Sequence, residues 1–234
     1  EPAPVIGMIH APYGGTPIEA WSLPSGLAKC AAVGETGTPF SPIIPWGRAF
    51  VGTPWCRVGP PAYPGAVRGF NQSCQSGGKD ENSSLFNGMI APLTPLSISG
   101  VLWFQGEENA AENRNQCGSC SYGGGPRYAC LMQALIEDWR QAWATRDFPF
   151  AMVQLAAYYS SGADINAIRI AQALATQRTV STGMALAIDH GDPDAPLGPV
   201  HSRDKEPVAR RLAAGMFKLR GCVSDCEEGV GVSG

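Results

Sequence analysis

Residues 97–104, Ser-Ile-Ser-Gly-Val-Leu-Trp-Phe, finish on four consecutive apolar side chains. A strand with one face in water alternates apolar and polar residues. One that is apolar at every position is covered on both faces, as in a parallel sheet. Parallel strands cannot be joined by tight hairpins, so such a strand requires crossover helices elsewhere in the chain. The sequence supplies them. Pro4–Met8, Phe150–Leu155 and Gly183–Ile188 read as further short buried strands. A helix begins at Ile18–Trp21, and residues 82–90 form another, stopped by Pro92 and Pro95. In residues 127–143, Leu131, Leu135, Ile136, Trp139 and Trp143 recur on one face at three- and four-residue steps, and both tryptophans read as core. Residues 165–178 repeat the pattern with Ile168, Ala171, Leu174 and Ala175. Residues 203–220 do so with Val208, Leu212, Met216 and Leu219, with Pro207 in the first turn. Strand and helix alternate, so the expected fold is α/β: a mostly parallel sheet with helices on both faces.

A chain of 234 residues fits one such domain, here residues 1–221, with 222–234 as a C-terminal tail. The 29 glycines and 20 prolines lengthen its loops. Residues 31–80, without periodicity, read as a Gly/Pro-rich insertion, and 111–127 as a second polar loop. Charged residues are 16% of the chain and the net charge is −3, which excludes a nucleic-acid binder built on clustered Lys and Arg. No apolar run reaches the length of a membrane span, so no membrane partner is expected.

Eight cysteines (30, 56, 74, 117, 120, 130, 222 and 226) point to an oxidising compartment. The sequons Asn71-Gln72-Ser73 and Asn82-Ser83-Ser84 agree, so a secreted or lysosomal, lumenal protein is expected. Pairing is not legible. Cys117-Gly-Ser-Cys120 with Cys222 and Cys226 has poor spacing for zinc, and disulfides or free thiols are favoured. The chain starts Glu1-Pro2, with neither methionine nor signal peptide, and an upstream segment removed or left out is expected.

Ligands of open parallel sheets bind beyond the carboxyl ends of the strands. Three polar clusters fall there: Tyr13-Gly14-Gly15-Thr16, Gln105-Gly106-Glu107-Glu108-Asn109, and Asp189 through Asp192 and Asp194 to His201. Each has a plain alternative as a tight turn, a cap or a surface residue; their joint placement favours a cleft. Gly14 or Gly15 lets backbone N–H groups approach a ligand. Gln105 offers an amide donor for an oxyanion. His201 offers a general base oriented by an acidic residue. A nucleophile is missing.

The blocks YGGTPIEAWS (13–22), LFNGMIAPLTPLSISGVLWFQGEENA (85–110), LIEDWRQAW (135–143), FPFAMVQLA (148–156), GMALAIDHGD (183–192) and GPVHSRDKEPVARRLA (198–213) resemble those of the sialate O-acetylesterases. They occur in family order and span nearly the whole chain. The resemblance implies a flavodoxin-like sheet of the SGNH hydrolase type, incomplete at its N-terminus. It implies hydrolysis of O-acetyl esters on sialic acids or other acetylated glycans by a serine and a histidine, with no metal or other cofactor. By resemblance, Gly14 or Gly15 is the oxyanion-hole glycine, Gln105, Glu107 and Asn109 line the site, and His201 is the catalytic histidine.

Three departures stand out. The family's Gly-Glu-Ser-Asn is here Gly106-Glu107-Glu108-Asn109. Bacterial relatives place an aspartate two or three residues before the histidine, where this chain has Gly198 and Pro199. Animal-type members carry it further upstream, which Asp194 matches, with Asp192 as runner-up. The nucleophile block Gly-Gln-Ser-Asn precedes the GGTPIEAW block in the family, so an N-terminal companion segment carrying the serine is expected. Ser73 and Ser76 follow glutamines but stand in the wrong order. The alternatives are a non-catalytic glycan-binding remnant and, more weakly, a metal hydrolase built on His201, His190 and Asp192.

Overall fold

The computed structural model describes residues 6–33, 81–110, 124–144, 147–157, 165–199 and 201–221. Three strands, β1 (Val101–Trp103), β2 (Phe150–Gln154) and β3 (Thr182–Leu186), form a parallel sheet in the order β1-β2-β3. Val101 pairs with Phe150 and Trp103 with Met152, and β2 continues against β3 from Phe150–Thr182 to Gln154–Leu186. The helices are α1 (Ile18–Trp21), α2 (Pro24–Lys29), α3 (Glu107–Ala110), α4 (Gly124–Ala142), α5 (Ile165–Arg178) and α6 (Glu206–Leu219).

Side chains alternate across a strand, so β2, apolar throughout, serves two cores. Phe150 and Met152 face the main core with Leu131, Leu135 and Ile136 of α4 and Ile168 of α5. Val153 faces a smaller cluster with Ala187 and with Val208 and Leu212 of α6. Helices thus cover both faces, as the continuous apolar runs require. The fold is the α/β arrangement expected for an SGNH-type hydrolase.

Trp139 centres the main core. Its ring meets Trp103 edge-on at 5.6 Å, and its indole N–H donates to the Trp21 carbonyl at 3.1 Å. Trp143 packs against this core from its edge, so both tryptophans are packing residues. Cys30, ending α2, forms a disulfide with Cys130 of α4. The other six cysteines lie outside the described residues, as do Asn71, Ser73 and Ser76. Asn82 is exposed.

Several expected boundaries move. Ile6–Met8 is neither strand nor buried: Ile6 is 63% and Met8 74% exposed. Pro4 has no N–H to give a ladder, and no described strand pairs with this segment. Residues 1–5 lie outside the described ones. The strand expected at 97–104 shrinks to three residues, and its Leu102 side is half open. The helical run ends at Leu93, before Pro95, while Pro92 is taken into its last turn. A π turn at Phe86–Ile90 tightens into a 3-10 turn at Ala91–Leu93, where proline lacks only an N–H that a helix start leaves unpaired anyway.

Candidate active site

The site is built from the two segments that follow β1 and β3 and from a turn at Gly14–Thr16 that follows no described strand. After β1 the chain turns at Gly106 (φ 139°), a conformation that favours glycine, and enters α3. A side chain is also excluded there by contact. A Cβ would lie 3.0 Å from Ile168 Cγ2 and 3.3 Å from the Tyr128 hydroxyl. Gly106→Ala is expected to cost about 1–3 kcal/mol through backbone strain alone. Thermal unfolding checks it, and an unchanged melting temperature would contradict the strain.

The second segment is the Gly14-Gly15-Thr16 turn. Gly15 has φ 64°, and the Thr16 hydroxyl donates to Tyr13 O at 2.9 Å while accepting the Trp21 indole N–H at 3.0 Å. The two segments are stitched together by side-chain amides. Gln105 Nε2 donates to Thr16 O (3.0 Å) and to Asn109 Oδ1 (2.7 Å). Asn109 Oδ1 also accepts the Ile18 N–H at 2.9 Å, and its Nδ2 donates to Glu19 Oε2 at 2.9 Å. Both Gln105 amide hydrogens are therefore committed, and in this arrangement it has none left for an oxyanion. Asn109, only 5% exposed, likewise works inward, as a clamp between α1 and α3. These two residues, expected to line the site, instead fix its frame.

Glu19 and Arg127 underlie that frame. Their side chains are buried, with Arg127 Nε 3.5 Å from Glu19 Oε1. Burial pushes the Glu19 carboxyl above its ordinary value, and this outweighs the hydrogen bond from Asn109 and the charge of Arg127. The folded chain thus binds this proton more tightly than the unfolded chain, and the associated stability is lost as pH rises past about 4.5 towards the raised value. Glu19→Gln is expected to flatten the fall of unfolding free energy over that range by up to ~1.4 kcal/mol per pH unit. Denaturant titrations at several pH values measure the slopes. Parallel slopes would remove Glu19 as the cause.

The third segment, after β3, carries the histidine. Its turns are braced by ion pairs. Asp189 takes a bidentate Arg211 at 2.7 Å on each oxygen, Asp192 takes Arg203 at 2.6 and 2.8 Å, and His190 Nδ1 meets Asp204 at 2.9 Å. The Arg211 guanidinium holds Asp189 far below the usual carboxylate range, and Arg203 does the same, less strongly, for Asp192. His201 is exposed and its backbone N–H donates to Gly198 O at 2.9 Å. Among the described residues no hydrogen bond or ion pair joins Glu107, at the start of α3, to His201. Burial pushes the Glu107 carboxyl up, while its own backbone N–H and the charges of Lys205 and His201 pull it down.

Among the described residues no hydrogen bond joins Asp194 to His201; Asp194 is exposed on a turn. Asp192, the other candidate, is occupied by Arg203. The trio for a metal is not gathered either, since His190 and Asp192 face other partners, and among the described residues no group of three or more His, Cys, Asp or Glu could hold an ion.

Sequence reasoning missed Glu19, Arg127, Tyr128, Gln172 and Ser202. Tyr128 and Gln172 sit on the buried faces of α4 and α5. A glutamine between Ala171 and Ala175 at a core position was the available signal. Ser202, beside His201, is 8% exposed with a buried hydroxyl that meets no partner among the described residues.

The family model described as carbohydrate esterase, sialic acid-specific acetylesterase, matches residues 70–201, more than half of the chain. The chain belongs to the sialic acid-specific acetylesterase family. It is similar to the sialate O-acetylesterase of Rattus norvegicus, 34% identical over 226 residues (90% of this chain, 38% of that protein). The Homo sapiens enzyme of that name is 31% identical over 229 residues (92% and 35%). Among solved structures, a carbohydrate acetylesterase from Xanthomonas citri superposes with a TM-score of 0.53 at 28% identity, over 63% of this chain and 32% of that one. The chain thus spans about a third of the length of these acetylesterases. Among the described residues, no helix is long and apolar enough to cross a membrane.

Proposed function

We propose that this chain is the histidine-bearing part of a carboxylic ester hydrolase that removes O-acetyl groups from sialic acids or related acetylated glycans. Residues 1–221 would form one esterase domain with an insertion at about 31–80, and the serine would come from a segment outside these residues. What supports the reading is the family match over residues 70–201, which ends at His201, in a chain whose Gln105–Glu107 turn follows the first strand of the parallel sheet. The serine hydroxyl attacks the acetyl carbonyl and His201 takes its proton. Backbone N–H groups at Gly14 or Gly15 hold the oxyanion, with Gln105 and Asn109 fixing that turn rather than donating. His201 returns the proton to the departing sugar oxygen, then activates the water that releases acetate. Asp194, or Asp192 once freed from Arg203, orients the imidazole. The Cys30–Cys130 disulfide and the exposed Asn82 sequon support a secreted or lumenal setting.

Acetate release from O-acetylated sialic acid by the complete protein, in chelator, tests the reading. Turnover that survives chelation supports the serine route. Saturable binding of the sugar without any acetate release would replace it with the glycan-binding remnant.

A further inference from the structure

The turn Gln105–Glu107 is held from behind by two residues of the helices beneath it. Tyr128 of α4 is 1% exposed, and its hydroxyl lies 3.0 Å from Gln105 Oε1 and 3.2 Å from Gln105 O, one hydrogen facing two acceptors. Burial pushes this hydroxyl far above its ordinary pKa, so it stays a donor. Because it claims Oε1, the Gln105 amide has one orientation, with Nε2 towards Thr16 O and Asn109.

Gln172 of α5 is fully buried. Its Oε1 accepts the Leu155 N–H at 3.1 Å, and its Nε2 donates to Val153 O at 3.1 Å and Gln105 O at 3.2 Å. The β1–β2 ladder ends at Trp103–Met152, whereas β2 runs on with β3 to Gln154. Gln172 bridges the two strand ends where their backbones have parted. A buried glutamine with three hydrogen bonds to backbone groups of two strands defines a geometry that an apolar side chain would leave open.

We propose that Tyr128 and Gln172 are positioning residues of the site: they fix the direction in which Gln105–Glu107 leaves the sheet, and through Gln105 the place of the Gly14–Thr16 turn. The proposal rests on the site reading above. Neither side chain need touch substrate. Tyr128 acts through Gln105 on Thr16, and Gln172 acts through the Gln105 carbonyl.

The test uses Tyr128→Phe and Gln172→Met in the complete protein, with two readouts. The first is residue-resolved amide exchange. Exchange at Gly106 and Glu107 is expected to speed by about tenfold or more, with the rest of α4 and α5 unchanged. The second is steady-state acetate release. kcat is expected to fall about ten- to a hundredfold with KM within about twofold and the pH profile unmoved. Tyr128→Phe keeps the ring, so it carries the test alone if Gln172→Met does not fold. A lower melting temperature with parental kcat and parental exchange at the turn would overturn the proposal and leave both as packing residues. If the parent protein releases no acetate, the functional reading fails by itself. Exchange at the turn then decides this proposal: faster in Tyr128→Phe upholds it, unchanged overturns it.

Discussion

Replacing His201 by alanine is expected to abolish acetate release by the complete protein while leaving it folded. His201 is exposed, and what it gives the fold is a backbone hydrogen bond to Gly198 that alanine keeps. Surface changes of this kind usually move stability by no more than about 0.5 kcal/mol. The chemical loss is of another order, since without a general base the serine stays protonated, and removing such a histidine lowers turnover by about 10⁴- to 10⁶-fold. Acetate release and thermal unfolding, measured on the same preparation, check both halves. Turnover within tenfold of the parent would sink the assignment of His201. Asp194→Asn and Asp192→Asn, compared side by side, identify the orienter. The carboxylate that matters costs orders of magnitude in kcat, and the other leaves it nearly unchanged.

Trp139→Ala is expected to be the most damaging single change to the fold, at about 3–5 kcal/mol. The indole is 3% exposed and packs against four other aromatic rings. It lies 5.6 Å from Trp103, 6.2 Å from Phe150, 6.5 Å from Phe86 and 6.0 Å from Trp143. Its loss empties a large cavity and also leaves the Trp21 carbonyl, at the end of α1, without its donor. Such a loss is a large share of the stability of an ordinary domain. Equilibrium denaturation measures it. A cost below about 1 kcal/mol would mean that the core collapses around the gap.

Much of the architecture was legible because it rests on periodicity. The helix expected over 165–178 is α5 to the residue, and the three-and-four spacing of Leu131, Leu135 and Trp139 gave the face that α4 buries. The apolar run at Phe150 gave a strand covered on both sides. Ile6–Met8 misled because apolar composition signals a buried strand only where a neighbour accepts its hydrogen bonds, and that neighbour is not written in the local sequence. At the end of the helix expected over 82–90 a 3-10 turn, Ala91–Leu93, takes in Pro92 and ends before Pro95.

The candidate site divides along the same line. Turn chemistry is local, so the sequence alone offered Gln105 and His201, which follow β1 and β3, as candidates, whereas Gly15 follows no described strand. The tertiary structure decided what each can do. Gln105 reads as a donor until Thr16 and Asn109, remote in sequence or one helical turn away, claim both its hydrogens. Asp192 reads as an orienter until Arg203 takes both its oxygens. Tyr128 and Gln172 were not named from the sequence; the fold alone brings their polar ends to the turn after β1. A side chain's chemistry is fixed by its type, but its free valences are set by whichever neighbours the fold brings within hydrogen-bonding distance, and those lie here up to about a hundred residues away.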